Sequence, residues 1–215
     1  MNIFISGASG GTGRPAVEQA LKAGHKVTAL VRDPAKLSIT HPNLTIIRGD
    51  IMRPDTFKSF LQGQDAVISA IGVTGGSLFS DKPTTLYSQG NANLLAAIEQ
   101  YGVKRFFCIS ASAIEISPVI PWYVRFVAKY VIQKLLKHMY ADIRRMEAIV
   151  KESNTEWTII RPPQLTDGPL TGQYRAAVNK YLKNCLKISR ADLAHVMVSN
   201  LTNPVFSQAI VEVAY

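Results

Sequence analysis

Cysteine and histidine are both scarce in this 215-residue chain, and their scarcity argues against several classes of protein. The two cysteines, Cys108 and Cys185, form neither a Cys-x-x-Cys pair nor a metal-binding spacing, which argues against a disulfide-framed secreted domain and a thiolate zinc site. Four histidines are scattered without ligand spacing, at positions 25, 41, 138 and 195. We therefore expect no metal site and a reducing, cytoplasmic location.

Acidic residues are also in short supply, with 15 against 24 lysines and arginines and a net charge of +9. This balance suits a nucleic acid, an anionic membrane or a small polyanionic molecule, and it also occurs in generally basic soluble proteins. No nucleic-acid-binding motif accompanies the charge, so we expect a small-molecule partner and no nucleic acid. The N-terminal residues lack a basic region and a cleavage site, so we expect no secretion or transit signal.

No stretch rich in proline, glycine and serine divides the chain, and we predict one domain over residues 1–215. Apolar strands alternate with helices, which indicates an α/β fold with a doubly wound parallel sheet of the Rossmann type. The predicted strands cover about 2–6, 26–31, 44–47, 65–69, 105–109 and 156–160, and the predicted helices about 14–23, 55–61 and 84–101. Long segments follow the fifth and sixth strands, at 112–154 and 162–188, and we expect them to form the substrate side of a cleft.

The most informative motif is a glycine-rich turn between the first predicted strand and the first predicted helix. Gly7 permits a tight turn, Gly10 lets the backbone approach a pyrophosphate, and Gly13 lets the helix pack closely on the strand. Unpaired N–H groups and the helix dipole then favour phosphate at the helix N-terminus. The motif predicts a dinucleotide site formed by Gly7, Ser9, Gly10, Gly11, Thr12 and Gly13.

The residue that follows the second strand predicts which dinucleotide is bound. An acidic residue there holds the ribose 2′-hydroxyl of NAD, whereas an arginine accommodates the 2′-phosphate of NADP. Arg32 stands at this position and Lys36 lies close by, so we predict NADP. Asp33 is the competing candidate, but it precedes a proline and can equally cap the next helical turn.

The ends of the third and fourth strands supply further candidate contacts to the nucleotide. Asp50 suits the adenine amino group, and its alternative role is that of a turn aspartate after Gly49. After the fourth strand, we expect Ala70, Ile71 and Gly72 to lie against adenosine and ribose.

Several motifs together resemble those of the atypical short-chain dehydrogenase/reductase family, in its NAD(P)H-binding (NmrA-like) division. They are the glycine motif, Leu30-Val-Arg32-Asp33, Gly49-Asp50, Cys108-Ile-Ser110, Arg161-Pro-Pro163, Asp167-Gly-Pro-Leu-Thr-Gly172 and Ile188-Ser-Arg-Ala-Asp192. Within that family the chain is most similar to the flavin reductase and biliverdin-IXβ reductase type. The resemblance implies NADPH as cofactor, a flavin or tetrapyrrole as hydride acceptor, Asp50 and Ile51 at the adenine, and Ser110 facing the nicotinamide.

The chain departs from this family type on the substrate side. Ile143 and Gln164 stand where tetrapyrrole-reducing members typically carry histidines, which favours a flavin over biliverdin. The stretch from Pro118 to Tyr140 is also longer than in those relatives. We expect Pro163 and Gln164 to contact the substrate.

Typical short-chain dehydrogenases combine a serine with Tyr-x-x-x-Lys, a spacing that places both side chains on one helical face so that the lysine lowers the tyrosine pKa. Ser110, Tyr130 and Lys134 are the candidate catalytic residues here. Tyr140 with Arg144 is an alternative pair, and the absence of any such pair is a third possibility. Hydride transfer to a stacked flavin needs mainly proximity, because solvent can supply protons.

The segment from Trp122 to Leu136 also predicts an amphipathic helix, which could serve the core or an interface. Its aromatic and basic residues could instead rest on a membrane surface, although we expect this less than a soluble role, and charge interrupts it too often for a membrane span. The sequence thus predicts an NADPH-dependent reductase. Its rivals are a sugar-nucleotide epimerase or isomerase, and a non-catalytic NADP-binding redox sensor or assembly module.

Overall fold

Ten strands and four longer helices make up the computed structural model, which describes residues 1–73, 82–115, 126, 130 and 133–215. The strands are β1 (Asn2–Ser6), β2 (Lys26–Val31), β3 (Leu44–Arg48), β4 (Ala66–Ser69), β5 (Arg105–Ile109), β6 (Glu156–Arg161), β7 (Gln164–Thr166), β8 (Arg175–Val178), β9 (Lys187–Ser189) and β10 (Ala209–Ala214). The helices are α1 (Gly13–Lys22), α2 (Leu86–Tyr101), α3 (Lys137–Glu152) and α4 (Arg190–Ser199), and a single helical turn at Gln133–Leu135 precedes α3. Short 3₁₀ helices lie at Pro34–Lys36, Pro54–Thr56, Lys58–Leu61, Ser112–Ile114 and Pro204–Phe206.

Eight strands form one sheet in the order β3-β2-β1-β4-β5-β6-β10-β8. All neighbours in this sheet are parallel except the edge strand β8, which runs antiparallel to β10. β7 and β9 pair in parallel as a separate two-stranded ribbon. This order confirms the predicted Rossmann-type α/β fold, in which the parallel strands end at one common edge, here called the carboxyl edge.

The sheet is buried on both faces because its strands carry apolar side chains in both directions. Ile3 and Ile5 of β1 pack into one core layer with α1 and α4, whereas Phe4 between them packs into the other layer with α2 and α3. Such two-sided burial explains why the strands read as continuous apolar runs. No helix formed by the described residues is long and apolar enough to cross a membrane.

Several stretches differ from the sequence prediction, which had no counterpart for α3, α4 or β10. The predicted helix at 55–61 is instead a pair of 3₁₀ helices, Pro54–Thr56 and Lys58–Leu61, separated at Phe57 by a non-helical φ of −142°. The segment 162–188, predicted to be irregular, contains the short strands β7 and β8 and the start of β9. Most of the predicted amphipathic helix from 122 to 136 lies outside the described residues.

Candidate nucleotide-binding site

Residues 7–13, here called the glycine clasp, hold β1, α1 and β4 unusually close together. Gly7 has a φ of +71°, and a Cβ atom on it would lie 2.5 Å from the carbonyl oxygen of Ala70. A Cβ atom on Gly13 would lie 2.1 Å from the carbonyl oxygen of Gly7, which accepts a hydrogen bond of 2.9 Å from the amide of Gly10. Both positions therefore require glycine, and the clasp has the close backbone approach expected of a dinucleotide cradle.

The N-terminus of α1 is suited to an anion. Thr12, the N-cap residue, makes no side-chain hydrogen bond to the first turn, and that turn contains no acidic residue. Arg14 donates its amide to the carbonyl oxygen of Gly10 at 3.0 Å and Pro15 has no N–H, so the amide of Gly13 and the positive end of the helix dipole are what this end offers to an outside acceptor. The geometry of the clasp and the charge of this helix end both fit a pyrophosphate group.

The end of β2 presents cationic side chains to the solvent. Arg32 directly follows β2 and is exposed, as is Lys36. The carboxylate of Asp33 accepts a hydrogen bond of 3.2 Å from the amide of Ala35 and so caps the 3₁₀ helix Pro34–Lys36. Arg14 of α1 donates to the carbonyl oxygen of Lys36 at 2.8 Å, which joins this 3₁₀ helix to the start of α1. Asp33 thus has the capping role that its position before Pro34 allowed.

Asp50 and Ile51 occupy the loop after β3. Asp50 accepts a hydrogen bond of 3.0 Å from the amide of Met52, so at least one of its oxygens serves a turn. Ile51 is buried, and its carbonyl oxygen accepts from Asn93 of α2 at 2.9 Å. A Cβ atom on Gly90 would come within 3.2 Å of both Ile51 and Ile71, so a glycine inside α2 makes room for this apolar floor. Sequence reasoning missed Gly90, although a glycine in a helix interior is an unusual residue.

The loop after β4 is anchored at both ends. The amide of Ala70 donates to Ser6 of β1 at 3.0 Å, and the amide of Val73 donates to the hydroxyl of Tyr87 at 3.2 Å. Gly72 lies above Tyr87, whose hydroxyl would be 3.7 Å from a Cβ atom at position 72. Burial raises the pKa of the Tyr87 phenol, so it remains a neutral hydrogen-bonding group.

Ser110 lies at the carboxyl edge but is buried and engaged with the protein itself. Its hydroxyl donates to Glu147 of α3 at 2.6 Å, and its amide donates to Ile160 of β6 at 2.7 Å. The same carboxylate accepts two hydrogen bonds from Arg161, of 2.8 Å from Nε and 2.6 Å from Nη2. Arg161 also donates to Glu115 at 2.5 Å. Together Ser110, Glu115, Glu147 and Arg161 form what is here called the Ser110 network.

A buried ion pair between Glu147 and Arg161 lies at the centre of the Ser110 network, whereas Glu115 at its edge is exposed. The side chains of Glu147 and Arg161 are each only 4% exposed. Burial alone would raise the pKa of Glu147, but the hydrogen bonds from Arg161 and Ser110, together with the Arg161 charge, hold it below its usual value. Glu147 is therefore an ionised acceptor that fixes the Ser110 hydroxyl. The sequence predicted Ser110 but not Glu147 or Glu115, because these residues are 37 and 46 positions away from their partners.

The candidate pair Tyr130 and Lys134 lies in a different environment from Ser110. Tyr130 is 54% exposed and its ring packs on Phe126 with 4.6 Å between centroids, and Lys134 is also exposed. In the alternative pair, Tyr140 is buried, which raises the pKa of its phenol. Arg144 donates to the carbonyl oxygen of Ile114 at 2.6 Å. The Arg144 charge acts to lower the pKa of Tyr140, but burial outweighs it, so this pair does not resemble a tyrosine activated by a neighbouring cation.

The N-terminus of α2, which also faces the carboxyl edge, already holds a carboxylate of the protein. Asp142 of α3 is fully buried and accepts hydrogen bonds from the amide of Tyr87, at 2.8 Å, and from the hydroxyl of Ser88. Arg145 pairs with the same carboxylate at 3.1 Å. α2 is thus capped by a residue of another helix, a cap that local sequence patterns cannot reveal.

The predicted substrate residues Pro163 and Gln164 begin the segment that follows β6. The amide of Gln164 donates to Leu186 at 3.3 Å, and its side chain is exposed. Farther along, buried Asp192 accepts hydrogen bonds from the amides of Thr171 and Gly172, at 2.9 and 2.8 Å, and from the hydroxyl of Tyr215 at 2.6 Å. These bonds hold the pKa of Asp192 below its usual value despite its burial, and they fix the loop before Gly172 against α4.

A family model described as NAD(P)H-binding matches residues 7–204. The chain belongs to this NAD(P)H-binding family. The match includes the glycine clasp, Arg32, the Ser110 network and Asp192, so these features lie within the part that the family shares. The predicted membership is therefore confirmed at this level, while the flavin and biliverdin reductase branch stays a prediction.

Three curated relatives of this NAD(P)H-binding protein carry different names. An uncharacterized chloroplastic protein of Arabidopsis thaliana is 30% identical over 98% of this chain and 75% of its own length. YhfK of Bacillus subtilis, named as an uncharacterized sugar epimerase, is 31% identical over 94% of this chain and 88% of its own length. The photosystem II assembly factor Ycf39 of Synechocystis is 27% identical over 81% of this chain but only 48% of its own length.

Among solved structures, a short-chain dehydrogenase/reductase of Veillonella parvula in complex with NADP has a TM-score of 0.79 to this chain. It is 17% identical, and the match covers all of this chain and 94% of that one. At this identity the likeness shows the shared fold.

Proposed function

We propose that this NAD(P)H-binding protein is an NADPH-dependent reductase that passes a hydride to a planar conjugated acceptor, with a flavin first and quinone-like or tetrapyrrole molecules next. The bound nicotinamide would supply the hydride. The glycine clasp would hold the pyrophosphate, Arg32 and Lys36 the 2′-phosphate, and the floor formed by Ile51, Ile71 and Gly90 the adenosine.

One observation carries the choice of NADPH. The exposed cation Arg32 stands directly after β2, while the neighbouring carboxylate of Asp33 caps the next turn. A guanidinium at this point can form charge-assisted hydrogen bonds with a 2′-phosphate that a 2′-hydroxyl cannot match.

The state of the candidate acid and base groups supports a hydride-only reaction. The hydroxyl of Ser110 donates a hydrogen bond to Glu147, and Tyr130 and Lys134 are exposed. Flavin reduction does not require such a dyad, because stacking of the two rings supplies proximity and water supplies the proton. The long segments after β5 and β6 would then shape the space for the acceptor.

The direct test is NADPH oxidation by the purified protein with FMN, FAD, a quinone and biliverdin in parallel, repeated with NADH. We expect the highest kcat/KM with NADPH and a flavin, and a lower value with biliverdin. A protein that binds NADPH but reduces none of the four acceptors would contradict the reductase proposal.

A sugar-nucleotide epimerase is the second candidate, because YhfK carries an epimerase name and matches most of this chain. That reaction recycles its nucleotide, so it requires tightly held nucleotide in the purified protein and an acid/base pair such as Tyr130 with Lys134. Mass spectrometry of the material released on denaturation distinguishes the two candidates. A non-catalytic sensor or assembly module would bind NADPH without turnover, and Ycf39 is named as an assembly factor.

The remaining expectations concern surroundings and partners. We propose a cytoplasmic location, since one cysteine is buried and the other partly buried and both are free thiols. We also propose a small-molecule substrate, with neither nucleic acid nor a membrane surface as partner.

A further inference from the structure

The side chain of Arg190 lies directly against the glycine clasp. A Cβ atom at Gly11 would be 2.6 Å from Cδ and 2.9 Å from Nε of Arg190, so the absence of a side chain at position 11 leaves room for this arginine. Gly11 itself is exposed and immediately precedes the N-cap of α1. A guanidinium therefore lies beside the backbone that the fold presents to a pyrophosphate.

The position of Arg190 is fixed by the start of α4. Ser189 caps this helix by accepting a hydrogen bond from the amide of Asp192 at 2.9 Å. Gln19 of α1 donates to the carbonyl oxygen of Ala191 at 2.9 Å, which ties the first turn of α4 to α1. The arginine thus starts from a rigid element, and its placement beside the clasp does not depend on a mobile loop.

The guanidinium is paired with a carboxylate that can readily be exchanged. Arg190 Nη1 lies 2.5 Å from Asp167 Oδ1, and the two side chains are 32% and 90% exposed. The loop that carries Asp167 is held in place by Asp192 and by Ser189, whose hydroxyl donates to Pro169 at 3.0 Å. An ion pair this exposed contributes little to stability, so a phosphate can replace the carboxylate at small cost.

We propose that Arg190 is a pyrophosphate-binding residue. In the absence of a ligand its guanidinium pairs with Asp167, and the phosphates of a dinucleotide displace this carboxylate. This inference rests on the proposed function as far as dinucleotide binding is concerned. The pyrophosphate is common to NADP and NAD, so Arg190 contributes affinity without distinguishing between them. Asp167 competes with the incoming phosphates and lowers affinity for both.

Binding measurements separate this role from that of Arg32. Isothermal titration with NADPH and NADH is carried out on the unaltered protein and on Arg190→Gln. We expect the substitution to raise the Kd for NADPH and the Kd for NADH by the same factor, about 10-fold. Hydrogen bonds to charged groups are strong, and this contact serves both ligands. Lys104→Gln is the charge-matched control, since Lys104 precedes β5 at the opposite edge of the sheet.

Asp167→Asn tests the second half of the proposal. Removal of a negative charge beside the phosphates is expected to tighten binding of NADPH and NADH alike, by about 3-fold to 10-fold at low salt, with a stronger dependence on salt because the net attraction that salt screens is larger. Glu99→Gln, near the C-terminus of α2, is the matched control and is expected to leave both affinities unchanged.

Each other outcome contradicts a defined statement. Arg190→Gln affinities equal to those of Lys104→Gln overturn the role of Arg190, and a loss for NADPH alone reassigns it to the 2′-phosphate. Weaker binding by Asp167→Asn means that the ion pair positions Arg190 and does not compete with phosphate. If the unaltered protein binds neither nucleotide, this inference and the proposed function both fail. If it binds NADPH but reduces none of the acceptors, only the proposed reductase activity is overturned.

Discussion

Two parts of the carboxyl edge are built in opposite ways. At β1 and β2 the glycine clasp is a backbone structure, and the side chains of Arg32 and Lys36 around it are exposed. At β5 and β6 the Ser110 network is a side-chain structure, in which Glu147 and Arg161 satisfy each other away from water. The first part has exposed positive charge that suits an anionic ligand, whereas in the second part the charges of Glu147 and Arg161 neutralise each other. Substitutions should therefore affect ligand affinity in the first part and folding stability in the second.

The largest expected effect comes from breaking the buried ion pair. Glu147→Ala leaves the Arg161 guanidinium without its main partner and should lower the free energy of unfolding by about 3 to 5 kcal/mol. Urea denaturation followed by circular dichroism measures this loss. Glu152→Ala, at an exposed position of the same helix, should change it by less than about 0.5 kcal/mol. Equal effects of the two substitutions would mean that the network does not stabilise the fold.

Arg32→Ala tests the first part of the carboxyl edge, where we expect an effect on ligand affinity. Loss of a charge-assisted phosphate contact should raise the Kd for NADPH by about 10- to 100-fold and leave that for NADH nearly unchanged. The stability of the protein should stay the same. Lys26→Ala removes one charge from the other end of β2 and should leave both Kd values unaltered. An equal loss for NADPH and NADH would remove the assignment of NADP.

Acid pH should reduce the contribution of the Ser110 network to the free energy of unfolding. The folded-state pKa of Glu147 lies below its unfolded value of about 4.3, so its contribution is complete above that pH and is lost as pH falls through the folded-state pKa. The difference in unfolding free energy between the unaltered protein and Glu147→Gln should narrow there, by at most about 1.4 kcal/mol per pH unit. A difference that stays constant with pH would contradict the ionised state.

Asp33→Ala should cost about 1 kcal/mol of stability through the lost cap of the 3₁₀ helix. Because the carboxylate serves a cap, the affinities for NADH and NADPH should shift together and only slightly. Thr40→Ala, an exposed neighbour, serves as the control in the same thermal and binding measurements. A selective loss of NADH binding would show that Asp33 holds a ribose hydroxyl.

The smallest effect is expected from Tyr130→Phe. An exposed phenol that plays no part in proton transfer can be removed with kcat for flavin reduction retained within about 2-fold. Phe126→Leu is a control for loss of the ring contact between the two residues. A fall of several orders of magnitude in kcat, with folding intact, would restore the tyrosine and lysine dyad.

The same contrast explains what could be predicted from the sequence. The alternation of strands and helices predicted six of the eight strands of the sheet, β1 to β6, and a contiguous motif predicted the clasp, since Gly7, Gly10 and Gly13 act through neighbouring backbone atoms. The sequence predicted one helix at 55–61 where the structure has two 3₁₀ helices, because a break at a single residue decides between these two arrangements. Glu147, Asp142 and Arg190 act on residues far away in the chain. Their partners become visible only when the strands and helices are assembled.

The carboxylate of Asp142 at the start of α2 has a consequence for how a ligand can lie in the cleft. Two long helices, α1 and α2, begin along this rim, but the second is already occupied by the protein's own anion. A dinucleotide carries negative charge at its central pyrophosphate, and this charge can lie at only one of the two helix N-termini. We therefore expect the negative charge of a ligand at the start of α1 and not at the start of α2, which would fix the orientation of that ligand along the carboxyl edge.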